Sequence, residues 1–537
     1  MDCEQRDRVT QERSQTRGAC PGAFTPMLSG DGWLVRIRSG ARALSSRELR
    51  ELARLAHAYG NGTIELTRRA NLQLRGLRLE RISELQAELV ALGLVDASPV
   101  REGRPGLLVD PVAAIEDVAL SELALGLDEA LAASVPVGKL SAKLGVVIDA
   151  GSGSVSAVDA DIRVVASGDP EHMQIYVGTY SGDQLLGACE RAEAPAVVLA
   201  LLSALAGDAG PRMRDLVAAR GIAAVRAEVT RSLVHAARVA CVLQPEAAST
   251  LHGNNDSGPA LGSPSGAASH IETPHADGKS YSTTQPSSIA RAAQLRAAPL
   301  LRSPSYPLPL TRGAQLGAAL GFHAAAGGGW FGIGLPFGSA LHAEWVAIAE
   351  LAERFGAAAV RLTPGREVLI GGVRRELGVR LAEVASRLGF ITALGDPRMQ
   401  VVACSGAPAC SSAYGETRSL AGALGVELQP LLAAGATLHV SGCEKGCASR
   451  AVAHFSIVLA QGGARLAFDA DVAAASGAPI EALATISAKL RACEERRIAM
   501  VASDKSGSVR FGDADGVLRI TNEKSDVVST PKSSRFQ

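Results

Sequence analysis

The sequence has few aromatic residues and no surplus of charge. Phe, Tyr and Trp make up 4% of the 537 residues, and 54 basic side chains are balanced by 54 acidic ones. A neutral chain has no long-range field that would attract nucleic acid or an anionic membrane. The sequence therefore predicts neither a nucleic-acid-binding nor a membrane-binding protein, and any attraction for an anion must be local.

A long hydrophobic run is also missing. The most apolar stretch, APAVVLALLSALAG at 194–207, is shorter than the roughly 20 residues that cross a bilayer. The N-terminus, MDCEQRDRVTQERSQTR, is charged and lacks the order of a secretory signal. We therefore expect a cytoplasmic protein, in which thiols stay reduced and clustered cysteines bind metal more often than they form disulfides.

A dinucleotide-binding motif is not found either. GSGSV at 151–155 contains glycines but lacks the third glycine and the spacing of G-x-G-x-x-G. It is therefore interpreted as a turn. The sequence predicts no nicotinamide site within the chain.

Cysteine is scarce, with nine in the chain, but four of them are clustered. CSGAPAC at 404–410 and CEKGC at 443–447 have the spacings C-x5-C and C-x3-C, with small residues between the thiols. These thiolates could hold an iron–sulfur cluster, a zinc ion or nothing. Zinc sites usually separate paired cysteines by about two to four residues, which disfavours zinc, whereas four thiolates suit a four-iron four-sulfur cluster. The candidate ligands are Cys404, Cys410, Cys443 and Cys447.

Two segments have the composition of unstructured chain. Residues 246–290 are rich in Ser, Gly, Pro and Asn, and residues from 503 onward are polar and aperiodic. Such segments bury too little apolar surface to offset the entropy of ordering. We expect a flexible linker and a flexible tail, which leave two structured halves.

The two halves resemble each other. GDGW at 30–33 returns as GGGW at 327–330, and Leu66–Thr67 returns as Leu362–Thr363 at an offset of 296 positions. Each copy is predicted to form a strand, a Ser-capped amphipathic helix that ends at Gly, and a pair of strands. This order is typical of a ferredoxin-like α+β half domain.

The copies differ in their basic residues. Where the first copy has arginine the second has glycine or proline: Arg36 and Arg38 against Gly332 and Gly334, and Arg68–Arg69 against Pro364–Gly365. If residues 69–75 are extended, alternation places on one face Arg69, Asn71, Gln73 and Arg75. That face would bind an anion, although an ordinary solvated sheet face shows the same alternation.

The cysteine spacing and the duplicated LT-containing halves together resemble the sulfite and nitrite reductase family, over most of residues 17–500. In that family a four-iron cluster lies beside sirohaem. The implied fold is α+β, with duplicated ferredoxin-like half domains and two sulfite/nitrite-reductase-like α/β domains related by a pseudo-twofold axis. The stretches RGACPGAFTPMLSGDGWLVRIR at 17–38 and LSAKLGVVIDAGSGS at 140–154 are most similar to the branch that acts on a tetrapyrrole in aerobic cobalamin biosynthesis.

The resemblance also implies domain boundaries. They are a disordered N-terminus at 1–16, a first ferredoxin-like half domain at 17–95, a reductase-like domain without a cluster at 96–245, the linker at 246–290, a second half domain at 291–390, the cluster domain at 391–502 and the tail at 503–537.

Three binding residues follow from the resemblance. LTRRANLQ at 66–73 matches the family's LT-x-RQ-type motif and puts Arg69 at its anion-binding arginine, and Arg104 in GRPGLLVDP lies where a second binding arginine is expected. Lys143 matches the first lysine of the family's K-x-K pattern, but Gly145 stands in place of the second. Reduction of a small oxyanion needs crowded cations around it, so this loss weakens a reductase site specifically.

The resemblance therefore implies an oxygen-dependent monooxygenase that converts precorrin-3A to precorrin-3B by hydroxylating the macrocycle and closing a lactone. Arginine suits the acetate and propionate rim of such a substrate, so Arg69, Arg104 and Lys143 are predicted to bind its carboxylates. The cluster would pass electrons, a mononuclear non-haem iron would activate oxygen, and a partner reductase or ferredoxin would deliver electrons ultimately from NAD(P)H.

Two other functions are considered. A sirohaem-dependent sulfite or nitrite reductase would use the same cluster, and a non-catalytic electron carrier would need the cluster alone. The duplicated halves and the asymmetric basic face argue against a carrier. His439 and His454 lie near the cysteines in sequence and could ligate the mononuclear iron, but they are more simply interpreted as packed or surface histidines. No catalytic residue is predicted.

Overall fold

A computed structural model describes most of the chain: residues 20–134, 140–207, 212–242, 319–325, 328–449, 451–480 and 485–492. The predicted N-terminal segment, linker and tail lie outside these ranges. The described residues form helices and four five-stranded sheets, which confirms the predicted α+β class. Within the described chain, no helix has the length and apolar character needed to cross a membrane.

Sheet A has the strand order β1-β2-β5-β4-β13, and all of its neighbours are antiparallel. The strands are β1 (Met27–Ser29), β2 (Gly32–Ile37), β5 (Leu72–Leu77), β4 (Thr63–Leu66) and β13 (Ser339–Leu341). Strand β13 comes from the second half of the chain, so the edge of this sheet is completed by the other half.

Sheet B repeats this arrangement with the halves exchanged. Its order is β11-β12-β15-β14-β3, formed by β11 (Gly321–Ala325), β12 (Gly328–Gly334), β15 (Glu367–Gly371), β14 (Ala359–Leu362) and β3 (Leu44–Ser45). Here the edge strand β3 comes from the first half and pairs with β14. One buried cluster joins Leu52 and Leu74 to Trp345 and Ile370. The two halves therefore share a single core.

A helix precedes the central strand pair in each half. Helix α1 (Ser46–Tyr59) buries Leu49, Leu52, Ala53 and Ala56, a spacing of one helical face, and Ser45 and Glu48 form its capping box. Helix α9 (His342–Phe355) has no serine cap. The predicted cap is wrong for this copy, because Ser339 lies in β13 and accepts a hydrogen bond from Arg418 at 3.1 Å.

The predicted strand over 69–75 is also partly wrong. Strand β5 begins at Leu72, because Thr67 and Ala70 close a turn in which the Ala70 amide donates to the Thr67 carbonyl at 2.9 Å. Ala70 has a left-handed φ of 52°. The turn breaks the alternation, so Arg69 does not share the strand face of Gln73.

Sheets C and D have the same plan as each other. Sheet C has the order β10-β9-β8-β7-β6 and sheet D the order β16-β17-β18-β19-β20. In each, three parallel strands are followed by two antiparallel ones. The strands of sheet C are β6 (Gly106–Val109), β7 (Gly145–Asp149), β8 (Ile162–Ala166), β9 (His172–Thr179) and β10 (Gly182–Glu190). Those of sheet D are β16 (Val401–Ala403), β17 (Leu438–Ser441), β18 (Ala453–Ala460), β19 (Gly463–Ala470) and β20 (Ser476–Ile480).

The remaining helices cover these sheets and connect the strands. They are α2 (Ile82–Ala91), α3 (Pro99–Glu102), α4 (Ala113–Glu116), α5 (Val118–Ser134), α6 (Ala194–Gly207), α7 (Met213–Arg220), α8 (Ile222–Val242), α10 (Arg375–Arg387), α11 (Thr417–Glu427), α12 (Gln429–Ala433) and α13 (485–492). The most apolar stretch of the sequence is α6, which buries Val197, Leu201 and Leu205 in the core of sheet C.

Candidate cofactor and substrate site

The four clustered cysteines lie in two loops at one edge of sheet D. Strands β16 and β17 are adjacent and parallel, Cys404 directly follows β16, and Cys443 lies just beyond β17. Loops at the carboxyl ends of parallel strands meet at one edge of a sheet, where ligands commonly bind. Partial burial raises the pKa of the Cys447 thiol, and the thiols of Cys443, Cys404 and Cys410 raise it further. All four thiols therefore form one group.

The surroundings of these thiols fit cluster ligation. The Gly442 amide donates to Cys404 Sγ at 3.2 Å, a contact of the kind that tunes cluster sulfurs. Gly406 and Gly446 have left-handed φ angles of 65° and 57°. A Cβ at Gly406 would lie 2.5 Å from the Thr417 hydroxyl oxygen, so the tight loop requires glycine there. Sulfur-only donors with amide hydrogen bonds are what an iron–sulfur cluster requires.

The first half of the chain anchors the loop that carries Cys410. The carbonyl of Ala409 accepts hydrogen bonds from Ser29 Oγ at 2.6 Å, from Arg75 Nη2 at 2.5 Å and from the Gly30 amide at 3.3 Å. All three donors belong to the first half. The first half therefore contacts the cysteine loop directly, and Arg75 is the basic residue that makes this contact.

A row of polar side chains crosses sheet A beneath this loop. Arg36 Nη2 donates to Gln73 Oε1 at 2.7 Å, and Gln73 Nε2 donates to Glu65 Oε2 at 3.1 Å. Burial alone would raise the pKa of Glu65, but the guanidinium groups of Arg418 and Arg75 lower it below its ordinary value. The row connects Arg36, at one end, to the arginine that holds the cysteine loop.

Arg36 and two arginines near it have no carboxylate within ion-pair distance among the described residues, although more distant carboxylates partly oppose the effect of burial on their pKa values. Arg36, Arg38 and Arg69, here called the arginine trio, form no ion pair with a carboxylate in the described part of the chain; they donate instead to the Gln73 side chain and to the carbonyls of Arg104 and Asp159. Burial lowers the pKa of all three, and Arg38 and Arg69 lower that of Arg36 further. Neighbouring guanidinium groups that form no ion pair with a described carboxylate are able to receive an anionic ligand.

Gly145 explains the position of Arg69. A Cβ at Gly145 would collide with Arg69 Nη1, so the guanidinium occupies the space that a side chain on this residue would need. Gly145 is where the reductase pattern has its second lysine. Lys143 lies two residues earlier and is exposed. Arg69 therefore lies against Gly145, next to the loop that carries Lys143.

Arg104, unlike the arginine trio, has carboxylate partners. Its guanidinium makes a bidentate pair with Asp128, at 2.9 and 2.8 Å, and lies 3.5 Å from Glu102. It lines a polar cavity of about 430 Å³ with Arg38 and Asp128. Since its charge is already compensated, the structure brings Arg104 close to the arginine trio but leaves it no free charge for a substrate.

A second cavity, of about 370 Å³, lies between the two halves. Loop residues 152–154, 157 and 158 form one wall, and Trp330 stacks on His323 with ring centroids 3.9 Å apart to form another. Ala448 and Ser449, directly after Cys447, close it on the side of the cysteines. GSGSV at 151–155 forms a bent loop that leads into a turn at 156–157, and the sequence did not reveal that this loop lines a cavity. The lining is more apolar than polar, and the stacked rings of Trp330 and His323 give it one flat side, which suits a large planar ligand.

The two histidines near the cysteines differ in their contacts. His454 Nδ1 accepts a hydrogen bond from the Thr437 amide at 3.1 Å, which fits the interpretation as a packed residue. His439 is buried, and neither of its ring nitrogens has a hydrogen-bond partner among the residues that the structure describes. Within the described residues, no three His, Cys, Asp or Glu side chains are arranged to hold a single metal ion.

Comparisons with known proteins agree with this fold. Residues 26–92 match the nitrite/sulfite reductase ferredoxin-like half domain. The fold is similar to that of the Mycobacterium tuberculosis NirA protein, with a TM-score of 0.58 over 81% of this chain and 73% of that one at 19% identity. A ferredoxin–nitrite reductase of Leptolyngbya laminosa is 32% identical over 96 residues, 18% of this chain and 19% of that protein. The protein therefore has the fold of the nitrite and sulfite reductases.

A longer match identifies the family within this fold. Precorrin-3B synthase of Sinorhizobium sp. is 31% identical over 475 residues, which cover 87% of this chain and 85% of that protein. The chain belongs to the precorrin-3B synthase family, and it is an oxidoreductase. An iron–sulfur centre is what the nitrite and sulfite reductase fold family implies, and the four cysteines fit one.

Proposed function

We propose that the protein converts precorrin-3A to precorrin-3B in aerobic cobalamin biosynthesis, by hydroxylating the macrocycle with molecular oxygen and closing a lactone from a neighbouring acetate. The arginine trio is the observation that carries this proposal. Its three partly buried guanidinium groups form no ion pair with a carboxylate of the described chain, so a ligand carboxylate can supply a close counter-charge. Arg36 is joined through Gln73 and Glu65 to Arg75, which holds the cysteine loop. A tetrapyrrole with acetate and propionate side chains supplies such charges, and arginine binds them in bidentate fashion.

The residues of this chain would bind and orient the substrate. Arg69, held over Gly145 and bonded to the Asp159 carbonyl, would receive one carboxylate, with Arg36 and Arg38 next to it. Lys143, which is exposed, is a further candidate for binding a substrate carboxylate, whereas the guanidinium of Arg104 is paired with Asp128 and would stabilise the fold. The wall formed by Trp330 and His323 would lie against the macrocycle and exclude water from that face.

The cofactors follow the same reasoning. Cys404, Cys410, Cys443 and Cys447 would hold a four-iron four-sulfur cluster, which passes electrons when bound. The electrons would come ultimately from NAD(P)H through a reductase or ferredoxin partner. The cytoplasm is the proposed location, because cluster-ligating thiols stay reduced there. A mononuclear non-haem iron is also implied by the family resemblance, but the described residues offer no donor set that fits it, and no residue is assigned to it.

Sirohaem-dependent reduction of sulfite or nitrite is the second candidate. The reductase fold favours it, but the position of Gly145 argues against it. The reductase pattern needs a lysine at this position, and the guanidinium of Arg69 fills the space. A crowded cation site around a small oxyanion is therefore incomplete.

Turnover with labelled oxygen tests the proposal. Anaerobically purified protein with a full complement of cluster iron is mixed with precorrin-3A, a reductant and ¹⁸O₂. We expect one labelled oxygen atom in the product, while the other leaves as water with two electrons from the reductant. An unlabelled product, or no oxygenated product at all, would contradict the assignment. Sirohaem in the purified protein together with sulfite or nitrite reduction would establish the second candidate instead.

A further inference from the structure

The two halves use the same turn at equivalent positions but place arginine differently in it. The Ala70 amide donates to the Thr67 carbonyl at 2.9 Å in the first half, and the Arg366 amide donates to the Thr363 carbonyl at 3.3 Å in the second. The last residue of each turn is left-handed, with φ of 52° at Ala70 and 70° at Arg366. A long side chain is rarely found in this conformation, and such outliers cluster at functional sites.

Arg366 is buried without a partner. Its side chain is 8% exposed and lines the cavity between the halves. Its guanidinium group forms no hydrogen bond or ion pair with any described residue. Burial, together with the charges of Arg68 and Arg418, lowers the pKa of Arg366 to about 10, although the carboxylate of Glu367, which also lines the cavity, partly opposes this effect. A buried charge without an ion-pair partner is costly, and a ligand carboxylate in the cavity would compensate it at close range.

Arg68 and His439 lie close to Arg366 at the same end of the cavity. Arg68, from the turn of the first half, lines the cavity and likewise has no carboxylate partner among the described residues. His439 is 1% exposed, and its strand partner Val402 also lines the cavity. Burial, with the charges of Arg366 and Arg68, lowers the pKa of His439 to about 4, so its imidazole is neutral and can donate one N–H. Three groups without partners thus converge at one end of a largely apolar cavity.

We propose that Arg366 and Arg68 form a second carboxylate-binding subsite, one arginine from each half, with His439 as a neutral donor behind them. The subsite would hold one peripheral carboxylate of a macrocycle that lies along the apolar walls, while the arginine trio holds others. This inference rests on the proposed function and adds the residues that fix the orientation of the substrate. It also makes the substrate bridge the two halves.

Binding of a polycarboxylate tetrapyrrole to charge-removing variants tests the subsite. Uroporphyrin, a porphyrin with acetate and propionate side chains, is titrated into the anaerobic holoprotein and its fluorescence is followed. In Arg366→Gln and in Arg68→Gln we expect the Kd to rise at least about tenfold, because each loses a charge-assisted contact. Arg380→Gln is the matched control; it removes the same charge from an exposed position on α10 and should leave the Kd within about twofold.

Thermal unfolding without ligand separates binding from a structural role. Because Arg366→Gln removes a buried uncompensated charge, its Tm should equal or exceed that of the wild type. A lower Tm with unchanged affinity would overturn the inference. If Arg366→Gln does not fold, the exposed Arg68→Gln decides, and wild-type affinity in that variant would also overturn the inference.

The subsite and the proposed function fail in different ways. If the wild type oxygenates precorrin-3A and both arginine variants keep its KM, the subsite is wrong and the function stands. If the wild type makes no oxygenated product but both variants lose affinity for uroporphyrin, the subsite stands and the function is wrong.

Discussion

At the scale of single residues, the presence or absence of a carboxylate partner decides what each arginine can bind. Arg104 and Arg69 were both predicted to bind the substrate from sequence. Arg104 is paired in bidentate fashion with Asp128, whereas Arg69 donates to the Asp159 carbonyl and forms no ion pair with a carboxylate of the described chain. A paired guanidinium stabilises the fold and an unpaired one remains available to a ligand.

Substituting these two arginines should therefore have opposite effects. Arg69→Gln should weaken uroporphyrin binding about tenfold with little change in stability, since one charge-assisted contact is lost. Arg104→Gln should lower the free energy of unfolding by about 1–3 kcal/mol, because Asp128 and Glu102 lose their partner, and should leave the Kd nearly unchanged. Fluorescence titration and urea unfolding measure the two effects. The reverse pattern would restore Arg104 to the binding site.

The buried carboxylate of Glu65 makes a pH-dependent contribution to stability. Its pKa in the folded protein lies below the ordinary value of 4.5, because Arg418 and Arg75 outweigh the effect of burial. A lowered folded pKa stabilises the protein above the unfolded pKa, and this contribution is lost as the pH falls through the folded pKa. Glu65→Gln should therefore destabilise the protein equally at pH 7 and pH 5.5 and less at pH 4, as measured by urea unfolding. A difference that grows on acidification would contradict the lowered pKa.

At the scale of elements, the cysteine loop of the second half is held by strands of the first. Ser29, Gly30 and Arg75 all bond to the carbonyl of Ala409, the residue before Cys410. Arg75 is itself fixed by Asp31 and Glu65. The position of Cys410 therefore depends on sheet A, which contains none of the four clustered cysteines.

Weakening this anchor should make the cluster labile without unfolding the protein. Arg75→Lys keeps the charge but loses the forked geometry that serves Asp31, Glu65 and Ala409 together. We expect several-fold faster loss of the cluster absorbance in the presence of a chelator. Arg50→Lys, at an exposed ion pair with Glu353, is the matched control and should behave as the wild type. Equal rates of cluster loss in Arg75→Lys and the wild type would mean that the anchor has no role. As a reference for complete loss of the cluster, Cys443→Ser should contain no cluster iron.

At the scale of the whole molecule, exchange of edge strands makes the two halves one folding unit. Strand β13 completes sheet A and β3 completes sheet B, and Trp345 of the second half donates to the Ile64 carbonyl of the first at 3.4 Å. Either half alone would expose unpaired strand edges and half of a shared core, which promotes aggregation.

The halves should accordingly fold only together. Residues 1–245 and 291–537 produced separately should be insoluble or lack cooperative unfolding, whereas coexpression should give a one-to-one complex that unfolds cooperatively. Size-exclusion chromatography and thermal unfolding measure this. The full chain with about twenty residues removed from 246–290 is the control and should unfold at nearly the wild-type temperature, since loop length affects stability only logarithmically. A stable, monomeric single half would contradict the shared core.

Much of the site could be predicted from local patterns, and the rest could not. The cysteine spacings, the capped helix α1 and the repeat with Arg36 and Arg38 in one copy only are visible in the letters of the sequence. The partner of Arg104, 24 positions away, and the guanidinium over Gly145 are not, because both depend on how distant segments pack. Arg366 belongs to the copy in which glycine and proline replace the arginines of the first copy, and its burial in the tertiary structure distinguishes it from the surface arginines of that copy.

The sequence by itself determined the α+β class, the thiol cluster and the family, because periodicity, spacing and motif are properties of neighbouring residues. The tertiary structure decided which arginines remain uncompensated, that edge strands are exchanged between the halves and that a cavity opens between them. The physical reason is that charge compensation and burial depend on every group within a few ångströms, whatever its position along the chain.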